Sequence, residues 1–266
     1  MTRWRPTPYL LGSAALHAAG ILVLARSPER WPAVAATLFA NHLTLAAATL
    51  WPQGTLLGPS LSRLPEEAAR RGEVALTFDD GPDPDVTPRV LDQLDERGAR
   101  ATFFCIGRRA AACPDLTAEI ARRGHRLENH TWSHPNTFAC YAPRAMRREI
   151  RRAQETLAQA AGRTPRYFRA PAGFRNFLLE PELLRQGLAL AAWTRRGYDT
   201  VTRDPAAVAR RLTTGLAGGD ILLLHDGSAA RDRHGRAVVL EALPRLLDAV
   251  AEQGLRPVPL PAEPPS

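Results

Sequence analysis

A chain of 266 residues with 45 % hydrophobic content carries enough apolar side chains for a sizeable core, which excludes global disorder. The net charge is +8, but all 35 basic residues are arginine and they are scattered, without the aromatic interleaving that a nucleic-acid groove needs; a surface facing anionic lipid or polymer fits the charge better. The absence of lysine excludes Schiff-base, pyridoxal-lysine and P-loop chemistry, and Cys105, Cys113 and Cys140, odd in number and without a Cys-x-x-Cys, indicate no disulfide framework.

Residues 1–62 differ from the rest. Arg3 and Arg5 precede an uncharged stretch from Pro6 to Ala25, long enough for a membrane span. After Arg26, Glu29 and Arg30 comes a second uncharged stretch, with Ala33–Leu50 as its spanning part and Trp31 and Trp51 placed as interfacial anchors. Two membrane helices are expected. A helical hairpin buried on the domain is the alternative, and a cleaved signal peptide fits less well because a second apolar run follows the first. Counting arginines on either side of the spans gives a slight preference for a cytoplasmic domain.

Residues 63–72 form a charged linker, and from Glu73 the chain alternates. Apolar runs at Val74–Phe78, Thr102–Ile106, His125–Glu128, Tyr167–Arg169, Leu188–Trp193, Asp220–Leu224 and Pro257–Val258 read as strands. Amphipathic patterns at Val86–Arg97, Arg144–Ala161, Pro205–Leu216 and Arg236–Gln253 read as helices, the last stopped by Gly254. About seven strands alternating with helices predict an α/β architecture with a parallel sheet closed or nearly closed into a barrel. Residues 259–266, rich in proline, are expected to be a flexible tail.

Two groups of side chains carry chemistry. Asp79 and Asp80 end the first strand and Gly81-Pro82 turns the chain. His130 and His134, four apart, are expected on one face of a helical turn after the third strand, so that both imidazoles reach one ion. With one carboxylate they form a two-histidine, one-carboxylate set that leaves positions open for water and substrate, as catalytic metal sites do. The same set also suits iron(II), so an oxygenase is a competing class. Three further stretches end strands at the same rim: Arg169–Gly173, Trp193–Asp199 and Leu222–Asp226, the last placing His225 after a very apolar run.

The combination of Thr77–Pro82, His130–His134, Arg169–Gly173 and Leu222–Asp226 resembles the polysaccharide deacetylase family, the NodB-homology domain of carbohydrate esterase family 4, over residues 73–258. The resemblance implies a distorted (β/α)7 barrel, here preceded by the hydrophobic hairpin, and metal-dependent removal of N-acetyl groups from amino sugars. The ion would be zinc, with cobalt or another divalent metal as alternatives. Asp80, His130 and His134 would hold it and Asp79 would be the general base. His225 would donate a proton to the departing nitrogen, with Asp199 orienting it and raising its pKa. Arg169 would orient Asp79, and the backbone N–H of Ala172 would support the oxyanion. Two positions depart from the family pattern: Ala172 stands where tyrosine is frequent, and Thr200 where tryptophan often follows the acid, so a more open groove is expected. The expected substrate is an N-acetylated glycan of a polysaccharide or cell envelope. A lipid-linked amino sugar, deacetylated or deformylated at the membrane face, is the close variant, and an inactive glycan-binding module the distant one. The expected location is the membrane of a bacterial cell, with residues 1–62 as the anchor.

Overall fold

The structure, a computed structural model, describes residues 4–265; Arg3, counted above for membrane orientation, and Ser266 of the tail lie outside them. Eight strands form one parallel sheet: β1 Glu73–Asp79, β2 Thr102–Cys105, β3 Arg126–Asn129, β4 Tyr167–Phe168, β5 Ala189–Leu190, β6 Arg195–Arg196, β7 Ile221–His225 and β8 Arg256–Val258. Their order is β5-β4-β3-β2-β1-β7-β6, and β8 pairs with the first half of β1 below β2. This is the expected barrel of parallel strands, left open between β5 and β6. Leu188–Trp193, expected as one strand, is shorter in the sheet, because after Leu190 the chain pairs with Leu61 and then returns as β6 beside β7.

Strand periodicity decides which side chains reach the barrel interior. On β1, Val74, Leu76 and Phe78 pack outward in the largest apolar core, while Ala75 lies in a second cluster with Phe104, Tyr167, Trp193, Ile221 and Leu223. Thr77 and Asp79 share the face of Ala75, and His225 shares that of Ile221 and Leu223. The outer core is closed by helices whose apolar stripes the sequence displays. They are labelled in chain order with the hairpin: α1 Pro8–Arg26, α2 Trp31–Thr49, α3 Glu66–Arg70, α4 Thr87–Glu96, α5 Gly107–Ala112, α6 Pro114–Arg122, α7 Pro143–Ala161, α8 Leu179–Arg185, α9 Pro205–Thr213 and α10 Val239–Glu252.

The segment read as a charged linker is built into the barrel. Leu61 donates its N–H to Leu190 O and accepts from Ala192 N–H, and the N–H of Leu64 bonds Gly219 O. Arg63 pairs with buried Asp220 at 2.6 Å. Residues 61–64 thus lie across the gap between the two sheet edges. The tail is also held in part: Leu260 is buried, and its N–H bonds Thr102 Oγ1 at 2.9 Å.

α1 and α2 form the expected hairpin. Only Gly20 and Ala48 within them are buried, so the hairpin is not packed into the domain. Its polar groups face each other: Asn41 Nδ2 donates to Ser13 Oγ at 2.8 Å, Tyr9 Oη to Asn41 O at 2.9 Å, and the His17 and His42 rings meet edge-on. Its large apolar side chains, Leu11, Ile21, Leu22, Phe39 and Leu43 among them, are exposed. Among the described residues, α1 is the one helix long and apolar enough by itself to cross a membrane.

Candidate active site

Asp79 and Asp80 are consecutive, so a continuing strand would send them to opposite faces. The chain instead turns left-handed at Asp80 (φ 74°), and both carboxylates line one cavity of about 170 Å³. Aspartate tolerates that conformation better than most residues. Asp80 is anchored from several sides. The Ser228 hydroxyl donates to Oδ2, and Arg109 Nη1 bonds the backbone oxygens of Asp80 (2.9 Å) and Gly227 (2.6 Å).

His130 and His134 reach the same cavity, but not from a helix. Residues 130–134 form an irregular loop in which Thr131 (φ 65°) and His134 (φ 52°) are left-handed. A β-branched residue in that region is strained, and such strain persists only where surroundings impose it. Here Asn129 Oδ1 accepts the Thr131 N–H at 3.0 Å, Thr131 Oγ1 accepts the His134 N–H at 2.9 Å, and Glu149 of α7 accepts from the Ser133 N–H at 2.8 Å. The helical spacing is therefore coincidental. Side-chain hydrogen bonds, not helix geometry, bring the imidazole centroids to 4.8 Å.

Both His130 Nε2 and His134 Nε2 lie 3.3 Å from Asp80 Oδ1. His130 Nδ1–H donates to Arg169 O at 2.8 Å, which turns the Nε2 lone pair toward the carboxylate. Asp80 Oδ1 is itself buried and without a hydrogen-bond donor. Lone pairs of two nitrogens and one oxygen thus converge, with potential ligand atoms within 4.8 Å of one another. Such a set is electrostatically unfavourable unless a proton or a cation lies among the atoms, so the donors fit a divalent metal. Burial acts most strongly on the Asp80 carboxyl and would raise its pKa. Where a proton rather than a cation lies among these atoms, His130 becomes the donor. Its hydrogen bond and charge, with the charges of His225 and His134, then outweigh burial and hold the carboxyl well below the usual carboxylate range.

Around this cluster stand the other sequence-predicted residues. Arg169, fully buried, donates to Asp79 Oδ1 at 2.7 Å, to Thr77 Oγ1 at 2.8 Å and to Ala192 O at 2.7 Å. On the opposite side, His225 Nδ1–H donates to Asp199 Oδ1 at 2.9 Å, and the His225 backbone N–H binds Asp199 Oδ2 at 2.7 Å. Burial would lower the His225 pKa, but the hydrogen bond and charge of Asp199, with the charges of Asp79 and Asp80, raise it overall. Ala172, left-handed at φ 54°, lines the cavity with Gly173. All eight predicted residues are thus gathered at the C-terminal rim of the sheet. His234 and Cys140 are exposed side chains outside the cavity lining.

Thr200, Trp193 and Arg196 line the cavity wall. Two residues that hold Asp80, Ser228 and Arg109, escape sequence reasoning. Asp226 packs against Gly81, takes the Thr87 hydroxyl, and has its carboxyl pushed up to about 7 by burial. The only signal for Ser228 is that it follows His225 by three residues. Arg109 carries none.

Comparison with protein families matches the polysaccharide deacetylases over residues 66–190. The chain is 34 % identical over 199 residues to a peptidoglycan-N-acetylglucosamine deacetylase of Bacillus cereus, covering 72 % of this chain and 68 % of that protein. It is 34 % identical over 200 residues to a chitooligosaccharide deacetylase of Sinorhizobium fredii, covering 73 % and 93 %. Among solved structures, a family 4 carbohydrate esterase of Streptomyces lividans in complex with acetate superposes with a TM-score of 0.64 at 33 % identity, covering 70 % of this chain and 91 % of that one.

Proposed function

The chain belongs to the polysaccharide deacetylase family, and from that premise we propose that it removes N-acetyl groups from amino sugars of a cell-envelope glycan with the help of a divalent cation held by Asp80, His130 and His134. Zinc suits two imidazoles and one carboxylate best, with cobalt as a substitute. The observation that carries the reading is the buried Asp80 Oδ1, 3.3 Å from both imidazole nitrogens and lacking a donor. A hydrolase also accounts for Asp79, Arg169 and His225 beside these donors, which an iron oxygenase would not need.

When bound, the cation supplies Lewis acidity, polarising the acetamide oxygen and making water more acidic. The rest is performed by side chains. Asp79, held by Arg169, takes the proton of the attacking water. The Ala172 N–H, on the left-handed turn that lines the cavity, supports the oxygen as the carbonyl becomes tetrahedral. With Nδ1–H committed to Asp199, the imidazolium form of His225 has Nε2–H free and delivers that proton to the departing sugar nitrogen. Acetate and a free amine are the products. Small side chains at Ala172 and Thr200 leave the cavity mouth open.

The hairpin anchors this domain in a bacterial membrane. Its polar groups turned inward and its exposed large apolar side chains support that reading, since lipid accepts the latter and not the former. Each helix has 19 residues, a length of about 28 Å at 1.5 Å per residue, which matches a bilayer core.

The direct test is acetate release from peptidoglycan fragments and chitin oligomers by the full chain, with and without a chelator. Chelator-sensitive release is expected. No release from any N-acetylated amino sugar under any divalent metal would contradict the proposal.

A further inference from the structure

Outside the hairpin and its flanking residues Trp4, Leu50 and Trp51, only four large apolar side chains are exposed among the described residues: Leu56, Phe177, Tyr198 and Val201. All four lie within four residues of one that lines the pocket or packs on its lining: Leu56 of Pro52, Phe177 of Gly173, and Tyr198 and Val201 of Thr200. Tyr198 and Val201 flank Asp199 and Thr200, and Val201, at 72 % exposure, is the most exposed of the four. Phe177 lies two residues beyond Arg175. Single exposed apolar residues need no explanation, but their restriction to one rim does.

The same rim meets the hairpin exit. Arg175, 3 % exposed, donates its N–H to Thr49 O at 3.2 Å, and its guanidinium binds the carbonyls of Gly54, Gly58 and Pro59. Pro52 and Trp193 both close on the cavity residue Gly173, where an added Cβ would stand 2.6 Å from each of the two side chains. Gln53 Nε2 donates to Trp193 O at 2.9 Å. The start of α1 is here too, since Thr7 Oγ1 donates to Leu56 O at 2.6 Å. From Trp193, the Arg196 guanidinium continues the contact to the Tyr198 ring, 5.1 Å away. No free spacer separates α2 from the pocket wall. A chain of that length, if extended, would cover ~3.3 Å per residue, but residues 52–63 are bound to the barrel instead.

We propose that this rim rests on the membrane surface, with Phe177, Tyr198 and Val201 seated in the headgroup region as a continuation of the hairpin's apolar surface. The pocket then opens onto lipid headgroups, and its substrate is an N-acylated amino sugar carried by a membrane lipid rather than a distant polymer. The proposal rests on the membrane and deacetylase readings above. Exposed Arg203, Arg210 and Arg211 near Val201 add attraction to anionic headgroups. Aromatic Phe177 and Tyr198 suit an interfacial position, where one end is apolar and the other wet.

The test uses the full chain in vesicles of phosphatidylethanolamine and phosphatidylglycerol. Two substrates are compared: N-acetylglucosamine on an isoprenoid pyrophosphate in the same vesicles, and soluble penta-N-acetylchitopentaose. Phe177→Ser and Val201→Ser are expected to lower turnover of the lipid-linked substrate about tenfold each, as loss of an inserted apolar side chain would, and to leave the soluble one unchanged. Equal losses on both would assign the surface to a glycan subsite and overturn the proposal. A second readout needs no activity. A fluorophore on Val201→Cys, with Cys113 and Cys140 changed to Ser, should be quenched by nitroxide-labelled lipid, and one on Gln159→Cys should not. Equal quenching at both positions, or none at 201, would overturn it. Quenching at 201 with no hydrolysis of either substrate would uphold the membrane contact and count against the deacetylase reading alone.

Discussion

Asp79 and His225 are register partners on the adjacent parallel strands β1 and β7. Both side chains belong to the inward-facing set of their strands, so the proposed proton acceptor and proton donor stand side by side at the mouth of the barrel. The sheet fixes this relationship, and side chains behind each strand then separate the two roles. Arg169 pairs with Asp79, while Asp199 pairs with His225.

Asp79→Asn keeps the shape and removes the proton acceptor. Acetate release should fall by about 10²–10⁴-fold, the usual contribution of a positioned base, with cation binding retained. Steady-state kinetics together with metal content of the purified variant would check this. A variant that lost its metal as well would make Asp79 a ligand instead.

Under the proposed mechanism, the pair of His225 and Asp199 is expected to set the alkaline limb of the pH profile. The histidine pKa is raised above its ordinary 6.5, because Asp199 and the nearby carboxylates outweigh burial. The protonated form, the proposed proton donor, therefore persists to higher pH than in an ordinary histidine and is lost as pH rises through the raised value. Asp199→Asn removes that support while burial remains, so the alkaline limb of kcat should move to lower pH. An unchanged limb would separate His225 from proton donation.

Arg169 is the largest fully buried side chain, and its guanidinium lies 4.0 Å from the Phe104 ring while pairing with Asp79. Arg169→Met would leave the Asp79 carboxylate buried without a counter-charge, at a cost of about 3–5 kcal/mol in denaturant unfolding. Adding Asp79→Asn to that variant should restore part of the stability. Full additivity of the two changes would show that the pair does not interact.

Ser228 donates its hydroxyl to Asp80 Oδ2. Ser228→Ala should leave folding intact and weaken zinc binding by about 10–100-fold, the range typical when a hydrogen-bond partner of a metal ligand is removed. Competition with a chromophoric chelator measures this directly.

Much of the site was legible because its parts are contiguous in sequence and end apolar strands. Thr77–Pro82 and Leu222–Asp226 each show a buried strand followed at once by the residues it positions. The spacing of His130 and His134 suggests a helix, whereas Asn129 and Glu149 hold them in a left-handed loop. That support comes in part from α7, fifteen residues and more away, and no local pattern encodes it. Arg175 and Arg109 look like surface arginines in a chain rich in them. Only the fold shows one clamping residues 54–59 and the other holding Asp80. The two-residue strands β4, β5 and β6 likewise exist through their neighbours more than through their own propensity.

The central claim is that Asp80, His130 and His134 bind one catalytic cation. Titrating metal-free protein with cobalt(II) while recording visible absorption and then acetate release tests it most directly. One equivalent per chain should bind and restore hydrolysis, and Asp80→Ala, His130→Ala and His134→Ala should each abolish both. Stoichiometric binding that survives all three substitutions, or undiminished hydrolysis by metal-free protein, would contradict the account.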